Sequence, residues 1–310
     1  MRRLKWISSK TAIAAFALAI IIGRPVAANA QACCVGATAV GSGRLVPYEN
    51  AMLGVTVRGS WIHGSMSRDG AYTSTPSDAY DVTLDQQLIG TLRLLRHAQL
   101  TIVLPFVQTF RKIGTLSESG GGIGDVQLGA RYDFVEPGAL AQWPGIALLA
   151  GLTIPTGVAP ESASGPLAAG STGTGTVIAS GRIALERAFK TTFVLLSAGA
   201  EWRSPRVVSG FHTQRAPAFS AGISVGHAFK NDLVVALSAS YRAELPARLD
   251  GRSVEGGGQE LTTIAISAGR AISDDFRFQA SISADVPAAP LSRNEPAALI
   301  ASFSFMRSSW

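Results

Sequence analysis

After its first thirty residues, the chain alternates apolar and polar residues in about twelve segments, each long enough to cross a bilayer as a tilted strand. In residues 80–94 most even positions are apolar and most odd positions are polar. Because successive side chains of a strand point to opposite faces, this pattern predicts one apolar and one polar face. The same alternation is clear in residues 123–134 and 276–286.

Weaker alternation predicts further strands near residues 51–66, 98–112, 145–157, 173–188, 191–204, 217–229, 231–246, 260–271 and 297–307. Short turns are expected near residues 96–99, 189–192, 229–232 and 273–275, with a longer one at 136–144. Long polar loops are expected at residues 67–79, 113–122, 158–172, 205–216, 247–259 and 288–295. This order predicts an all-β fold, a transmembrane up-and-down antiparallel β-barrel of about 12 strands, with the short turns and both chain ends in the periplasm.

The N-terminal residues indicate the cellular compartment. Basic residues surround or precede an apolar run at residues 11–22, and small residues at 28–30 offer a cleavage site. This combination predicts a secretory signal peptide over residues 1–30. We therefore expect a periplasmic N-terminal tail at residues 31–50 and a barrel at 51–310, in the outer membrane of a Gram-negative bacterium. Residues 31–50 are also the stretch available for a plug inside the barrel.

Net charge argues against nucleic-acid binding. The chain has 27 Lys and Arg residues against 21 Asp and Glu, but five of the bases lie in the signal segment, which has no acid. The mature chain therefore carries 22 bases against 21 acids, a net charge of +1, whereas a phosphate-binding surface needs clustered basic charge. Beyond the signal segment, no apolar stretch is long enough for a membrane helix.

The alternation also predicts which charged residues face the lumen. Eight bases and eight acids fall on the polar faces: Arg58, Arg93, Arg111, Arg131, Arg182, Arg203, Arg242, Arg277, Asp81, Asp85, Asp125, Asp133, Glu186, Glu201, Glu244 and Asp285. Such a balance fits a weakly selective, water-filled passage with a transverse field, because selective pores carry an excess of one sign. It equally fits a ladder of ion pairs that fills a narrow barrel.

Residues with reactive side chains show no catalytic or metal-binding pattern. Cys33 and Cys34 are adjacent in the predicted tail, where they could form a vicinal disulfide, cross-link two chains or bind a soft metal with help from a residue such as His63 or Met66. None of the histidines lies in a nucleophile motif, and Gly120-Gly121-Gly122 lacks the Lys-Ser/Thr of a phosphate loop. We predict no enzymatic activity, no cofactor and no metal site.

Short glycine-rich motifs resemble a known family. They are GGGIGDVQLGARYDF at residues 120–134, LPFVQTFR at 104–111, GLTIPTG at 151–157 and TGTGT at 172–176. In these motifs the chain is similar to outer-membrane transporters of the phenol meta-degradation pathway type. The resemblance implies a barrel of about twelve strands and passage of small hydrophobic or aromatic compounds, and it transfers no ligand-contacting position. It also implies an assembly signal at the terminal aromatic, although Trp310 is out of phase with the last strand.

The sequence thus predicts a porin-like outer-membrane channel or transporter for small solutes with a charge-balanced lumen. The expected partners are outer-membrane lipid, the barrel-assembly machinery and a small-molecule solute, with no nucleic acid. Two alternatives remain at this point. One is a non-conducting structural or adhesion barrel, and the other is a lipid-modifying outer-membrane enzyme.

Overall fold

The computed structural model describes residues 44–46, 48–138, 142–230 and 232–309. The predicted signal peptide, Cys33, Cys34, most of the predicted tail and Trp310 lie outside these ranges. No helix within them is long and apolar enough to cross a bilayer.

The described chain is built almost entirely of strands, with one 3-10 turn at Pro160–Ser162. The strands are β1 (Ala51–Met66), β2 (Tyr72–Ser74), β3 (Tyr80–Leu95), β4 (Ala98–Ile113), β5 (Leu116–Ile123), β6 (Val126–Val135), β7 (Gly145–Ile154), β8 (Ile178–Phe189), β9 (Thr192–Arg203), β10 (Arg206–Val208), β11 (Phe211–Gln214), β12 (Ala218–Ala228), β13 (Leu233–Glu244), β14 (Arg248–Leu249), β15 (Arg252–Ser253), β16 (Gln259–Ala271), β17 (Phe276–Asp285) and β18 (Glu295–Ser309).

Twelve wall strands form a closed antiparallel ring. Its order is β1-β3-β4-β6-β7-β8-β9-β12-β13-β16-β17-β18, and β18 pairs back onto β1 from Ala51↔Ser309 to Met66↔Glu295. Strands β5 and β6 pair with β4 one after the other, so they form a single wall strand that is interrupted at Gly124 and Asp125. Closure pairs the outer edges of the first and last strands, which would otherwise be left unpaired in lipid. The predicted barrel of about twelve strands is therefore confirmed.

Alternating side chains give the wall an apolar outer face. On β1, Leu53, Val55 and Val57 are exposed, whereas the alternate residues Met52 and Gly54 are buried. The same parity places exposed leucine, isoleucine and phenylalanine side chains on the outside of the other long strands. An outward apolar band of this kind is what the hydrocarbon core of a membrane requires.

One predicted loop is wrong. Residues 113–122 were expected to form a long polar loop, but β5 begins at Leu116 and pairs with β4 from Ile113↔Leu116 to Phe106↔Ile123. Gly114 takes a positive φ of 58°, which permits the tight turn between the two strands. The serine and glycine content of this segment resembles a loop, yet a strand ladder is formed by the backbone and tolerates such residues where side-chain packing is light.

The two ends of the barrel differ. At the short-turn end, β3 and β4 are joined by two residues, as are β8 and β9. At the long-loop end, β10, β11, β14 and β15 form a separate four-stranded sheet above the ring, and residues 155–177 connect β7 to β8. In outer-membrane barrels the short turns face the periplasm and the long loops face outwards.

Candidate functional site

The lumen is the candidate site, and the structure places the sixteen charged residues on its side of the wall. They lie at strand positions opposite the exposed apolar residues, except Asp125, which lies at the junction of β5 and β6. Their placement groups them in three layers along the barrel axis. Their role towards a solute stays a prediction.

The first layer, at the short-turn end, is bridged by the N-terminal segment, residues 44–46 and 48–50. The Arg44 guanidinium lies 2.6 Å from a Glu186 carboxylate oxygen on β8 and 3.7 Å from Asp133 on β6. Arg131 forms a second ion pair with Asp133 at 2.7 Å. All four side chains are largely buried, so their charges are compensated by each other rather than by bulk water.

The other end of the same segment contacts the opposite wall. Glu49 is completely buried and pairs with Arg277 on β17. Arg93 on β3 donates to the carbonyl oxygens of Glu49 at 2.7 Å and Val46 at 2.8 Å. Because β8 and β17 are five strands apart in the ring, a segment that contacts both must cross the lumen. The described part of the predicted tail is therefore inside the barrel, where it narrows the short-turn end.

An apolar patch lies beside this crossing segment. Phe193, with 1% of its surface exposed, packs with Val234 on the lumen face, and Leu195 forms a second small cluster next to it. Leu45 of the N-terminal segment is buried as well, and its backbone N–H donates to Gln99 Oε1 at 2.9 Å. Other buried apolar residues on the lumen face are Ile89, Val103, Ala147, Ala184 and Ala236.

The middle layer is lined by small side chains. From β9 round to β18, most lumen positions at this level carry serine, threonine, alanine or glycine, with Ile300 on β18 as the exception. The small residues are all partly exposed: Ser197, Gly199, Ser220, Gly222, Ser238, Ser240, Thr263, Ala265, Ser281, Ser283 and Ser302. A twelve-stranded barrel is wider than the eight-stranded barrels whose interiors are filled by side chains. Small residues at this level therefore leave the centre of the lumen accessible and line it with hydroxyl groups.

Three charged residues face this middle layer: Arg58 on β1, Asp85 on β3 and Arg182 on β8, which pairs with Gly199. Arg58 and Asp85 are direct cross-strand neighbours, and Gln87 donates to Asp85 Oδ2 at 2.6 Å. The Asp85 Oδ1 atom is buried and has no hydrogen-bond partner among the residues that the structure describes. Arg58 is exposed to the lumen, so this pair is more accessible to a solute than the ion pairs of the first layer.

The third layer, near the long-loop end, is a charge network on neighbouring strands. Arg203 lies 2.8 Å from Glu244, and Arg242 lies 3.1 Å from Glu201. Arg215, in the connection before β12, adds a contact of 3.1 Å to Glu244. Glu244 is buried and faces three guanidinium groups, since Arg242 is also 3.5 Å away. Most of these charges are held in place by their partners, as the ion-pair interpretation of the lumen requires.

Residues 155–177, here called the β7–β8 loop, fold against the inner face of β4 and β5. Arg111, which pairs with Asp81 at 3.0 Å, also donates to the carbonyl oxygens of Leu167 at 2.8 Å and Ala168 at 3.1 Å. The Glu118 carboxylate accepts the backbone N–H groups of Leu167 and Ala169, both at 2.8 Å. Two of the predicted lumen charges, Arg111 and Asp81, thus help to hold a loop in the mouth of the barrel.

Asp125 anchors both ends of the same loop. Its Oδ1 accepts the backbone N–H of Gly157 at 3.0 Å, and its Oδ2 accepts the backbone N–H and the hydroxyl of Thr174 at 2.6 and 2.8 Å. Asp285 has a comparable position on β17, where it accepts from Thr263 Oγ1 and from the backbone N–H of Ala298. These carboxylates bond to the protein backbone, which the strand alternation alone could not indicate.

Several residues of the lumen were missed by the sequence analysis. Arg44, Leu45 and Glu49 precede the first strand, so no parity could be assigned to them. Glu118 was assigned to a loop. Phe193 occupies a lumen position of β9 and breaks the apolar-out pattern there, which is the one signal that could have indicated an apolar patch inside.

The described histidines have ordinary partners. His63 Nδ1 lies 2.7 Å from the Tyr72 hydroxyl, His227 Nδ1 lies 3.2 Å from Thr192 Oγ1, and His97 Nδ1 lies 3.3 Å from a Glu136 carboxylate oxygen. His212 is exposed on β11. Within the described ranges, no group of three or more His, Cys, Asp or Glu residues is arranged to hold a metal ion.

The sequence also matches a known protein family. A family profile described as "Putative MetA-pathway of phenol degradation" matches residues 71–293, from the first long loop to the last. The chain belongs to this family. The resemblance found in the glycine-rich motifs is therefore confirmed, and those motifs correspond to β4, β5, β6, β7 and the β7–β8 loop. No curated protein sequence matches the chain.

Solved structures share the fold at low sequence identity. The crystal structure of the COG4313 outer membrane channel from Pseudomonas putida F1 aligns with a TM-score of 0.67 and 16% identity, over 87% of this chain and 98% of that one. The translocator domain of the autotransporter NalP from Neisseria meningitidis aligns with a TM-score of 0.50 and 9% identity, over 96% and 97%. Both likenesses identify the fold as that of an outer-membrane β-barrel.

Proposed function

We propose that this protein is an outer-membrane channel for small, weakly polar solutes, and that aromatic compounds with one or two polar groups are its substrate class. The observation that carries the proposal is the middle layer of the lumen, where small hydroxyl-bearing residues face an accessible centre. A wall built to fill the barrel would have large side chains at these positions.

The layers match the chemistry of such a solute. An aromatic ring gains free energy by leaving water for apolar side chains that are partly exposed at lumen positions, Val107 on β4, Leu149 on β7 and Ile300 on β18. A hydroxyl or carbonyl group on that ring can exchange hydrogen bonds with the serine hydroxyls of the middle layer, which act as donors and as acceptors. Inorganic ions gain little here, because the charges of the third layer largely neutralise each other.

The comparisons support the same function. The family description refers to phenol degradation, and the structure with a TM-score of 0.67 is named as an outer membrane channel. The neighbouring structures named above are a channel and a translocator domain, not enzymes. A non-conducting structural barrel would have no need of a hydroxyl-lined centre, so we favour transport over that alternative.

The direct test is single-channel recording of the refolded mature protein in a planar bilayer, with phenol and benzoate added in turn. We expect small, stable conductance steps, because the N-terminal segment and the β7–β8 loop both narrow the passage. We expect phenol to reduce the open current by occupying the middle layer, and benzoate to reduce it less. Folded protein that shows neither conductance nor uptake of any aromatic compound would contradict the proposal.

Ion preference should depend on Glu244. Glu244→Gln removes the carboxylate that faces Arg203, Arg215 and Arg242, so the three guanidinium groups of this layer lose their shared partner and the layer gains net positive charge. We expect a weakly selective lumen to become anion-selective, measured as a shift of reversal potential in a KCl gradient.

The matched control for this variant is Glu161→Gln. It removes the same charge from an ion pair with Arg206 on the long-loop side, away from the lumen network. An equal shift in both variants would mean that surface charge, and not the third layer, sets the ion preference. Because Glu244 is buried, folding of each variant is checked first by its resistance to heat in detergent.

A further inference from the structure

The barrel wall has a gap beside β5. Strand β5 pairs with β4 on one side, but β7, which would continue the wall on the other side, ends at Ile154 opposite Val126. Strand β8 begins at Ile178, opposite Arg203. Above this level, no described strand pairs with the second edge of β5. An unpaired edge is rare in a membrane barrel, because its polar backbone groups need partners.

The β7–β8 loop covers this gap. Thr172 Oγ1 donates to the carbonyl oxygen of Ile123 on the free edge at 2.8 Å, and it accepts the backbone N–H of Val158 at 2.9 Å. The loop backbone lies directly on the inner face of β5, since a Cβ added to Gly120 would be 2.6 Å from the backbone nitrogen of Gly170. The glycines of β5 therefore allow the loop to approach as closely as a neighbouring strand would.

The contacts that hold the loop are polar and local. Of residues 155–177, all of which the structure describes, only Ala169, Thr172 and Thr176 are buried, and each has a small side chain. The other attachments are also polar. They include the hydrogen bonds to Glu118, Arg111 and Asp125 described above, those of Thr156 with Gly124 and Val126 and of Thr176 with Ser204, and the ion pair between Glu161 and Arg206. A segment that buries little apolar surface can detach without unfolding of the barrel.

The gap lies at the height of the outer membrane interface. Trp202, which pairs with Ala179 at the top of β8, is exposed on the outer face of the wall. Outward aromatic side chains at this height mark the boundary between hydrocarbon and water in membrane barrels. Small aromatic molecules with a polar group share the amphipathic character of such side chains, so they concentrate in the same zone.

From these observations we propose that the β7–β8 loop gates a lateral opening in the barrel wall between β5 and β8. Small, uncharged aromatic solutes pass through this opening between the lumen and the outer membrane interface when the loop moves off the edge of β5. The inference rests on the proposed function and names the route within it. Ions do not need this route, because they can follow the barrel axis.

The test is an engineered disulfide that holds the loop reversibly against β5. In a Cys33→Ser/Cys34→Ser background, Gly122→Cys and Thr172→Cys are introduced together, because a Cβ at position 122 would lie 3.7 Å from Thr172 Cγ2. The two positions are therefore in side-chain contact, and formation of the disulfide is verified by mass spectrometry before either readout. The matched control disulfide is Thr56→Cys with Ser304→Cys, whose hydroxyl oxygens are 2.8 Å apart across β1 and β18, on the opposite side of the ring from the loop and outside the middle layer.

Two readouts separate the routes. Uptake of the uncharged fluorescent probe N-phenyl-1-naphthylamine is measured in Gram-negative host cells that make the protein, and ion conductance is measured in planar bilayers. With the 122–172 disulfide formed, we expect probe uptake to be lost and conductance to be unchanged, with uptake restored by a reducing agent. The 56–304 disulfide should leave both unchanged.

Two outcomes would overturn the side opening. Uptake that is insensitive to the 122–172 disulfide would mean that the loop does not need to move. Loss of uptake and conductance together would mean that the loop controls the axial mouth instead. If protein without the 122–172 disulfide conducts no ions and takes up no probe, the proposed channel function itself is contradicted. Failure of the side opening and failure of the channel function can therefore be distinguished.

Discussion

Single-channel conductance should rise several-fold when Arg44 and Leu45 are both replaced by alanine. Arg44 bridges to Glu186 and Asp133, and Leu45, with 1% of its surface exposed, is held in the lumen beside Gln99. Shortening both side chains removes the ion pair and the apolar contact that fix this part of the N-terminal segment across the short-turn end. The measurement is single-channel recording under identical salt conditions.

Tyr48→Ala is the matched control. Tyr48 belongs to the same segment, but 83% of its surface is exposed, so its removal should not change the width of the passage. Unchanged conductance in the Arg44/Leu45 variant would show that the narrowest point lies elsewhere, with the β7–β8 loop as the next candidate. A rise in both variants would point to general loosening of the segment, because Tyr48 also has an unusual positive φ of 79°.

Gly226→Val should strongly destabilise the barrel. The ring of Phe193 lies on Gly226, and a Cβ at that position would be 2.1 Å from Phe193 Cζ. Phe193 is buried and packs against Val234 and Ala236, so its ring can move aside only by disturbing these contacts. Overpacking of this kind costs about 3 kcal/mol when the neighbour cannot move. The measurement is the urea midpoint of unfolding from detergent micelles, followed by the electrophoretic shift of folded barrel.

Two further variants test this explanation. Gly181→Ala places a methyl group on another wall strand where no atom lies within 4 Å, and it should leave the urea midpoint unchanged. Phe193→Ala combined with Gly226→Val should recover part of the lost stability, because the added side chain fills the space of the ring. If the double variant is no more stable than Gly226→Val alone, steric conflict with Phe193 is not the cause.

Local alternation accounts for most of what could be predicted. Side chains two residues apart share a face whatever the rest of the chain does, so the parity of residues 80–94 placed Asp85 and Arg93 on the lumen side. The same reasoning found twelve strands without knowledge of their partners. It failed at residues 116–123, where small and polar side chains carry little alternation and the backbone ladder with β4 determines the conformation.

Contacts across the ring were beyond sequence reasoning. Arg44 and Glu186 are 142 residues apart in the sequence. They meet because closure of the barrel places β8 across the lumen from β1, within reach of the segment that precedes β1. Asp125 was predicted as a lumen charge, yet it holds the backbone of the β7–β8 loop. In both cases, the partner depends on the path of a distant segment.

The sequence by itself determined that this protein is a membrane barrel, how many strands it has and which faces of those strands are wet, because these properties follow from local periodicity and from the need to match lipid. Tertiary structure alone decided which charges pair, where the lumen is apolar, that the N-terminal segment crosses it and that the edge of β5 is closed by a loop. Those features depend on closure of the ring, which brings into contact residues that no local pattern relates.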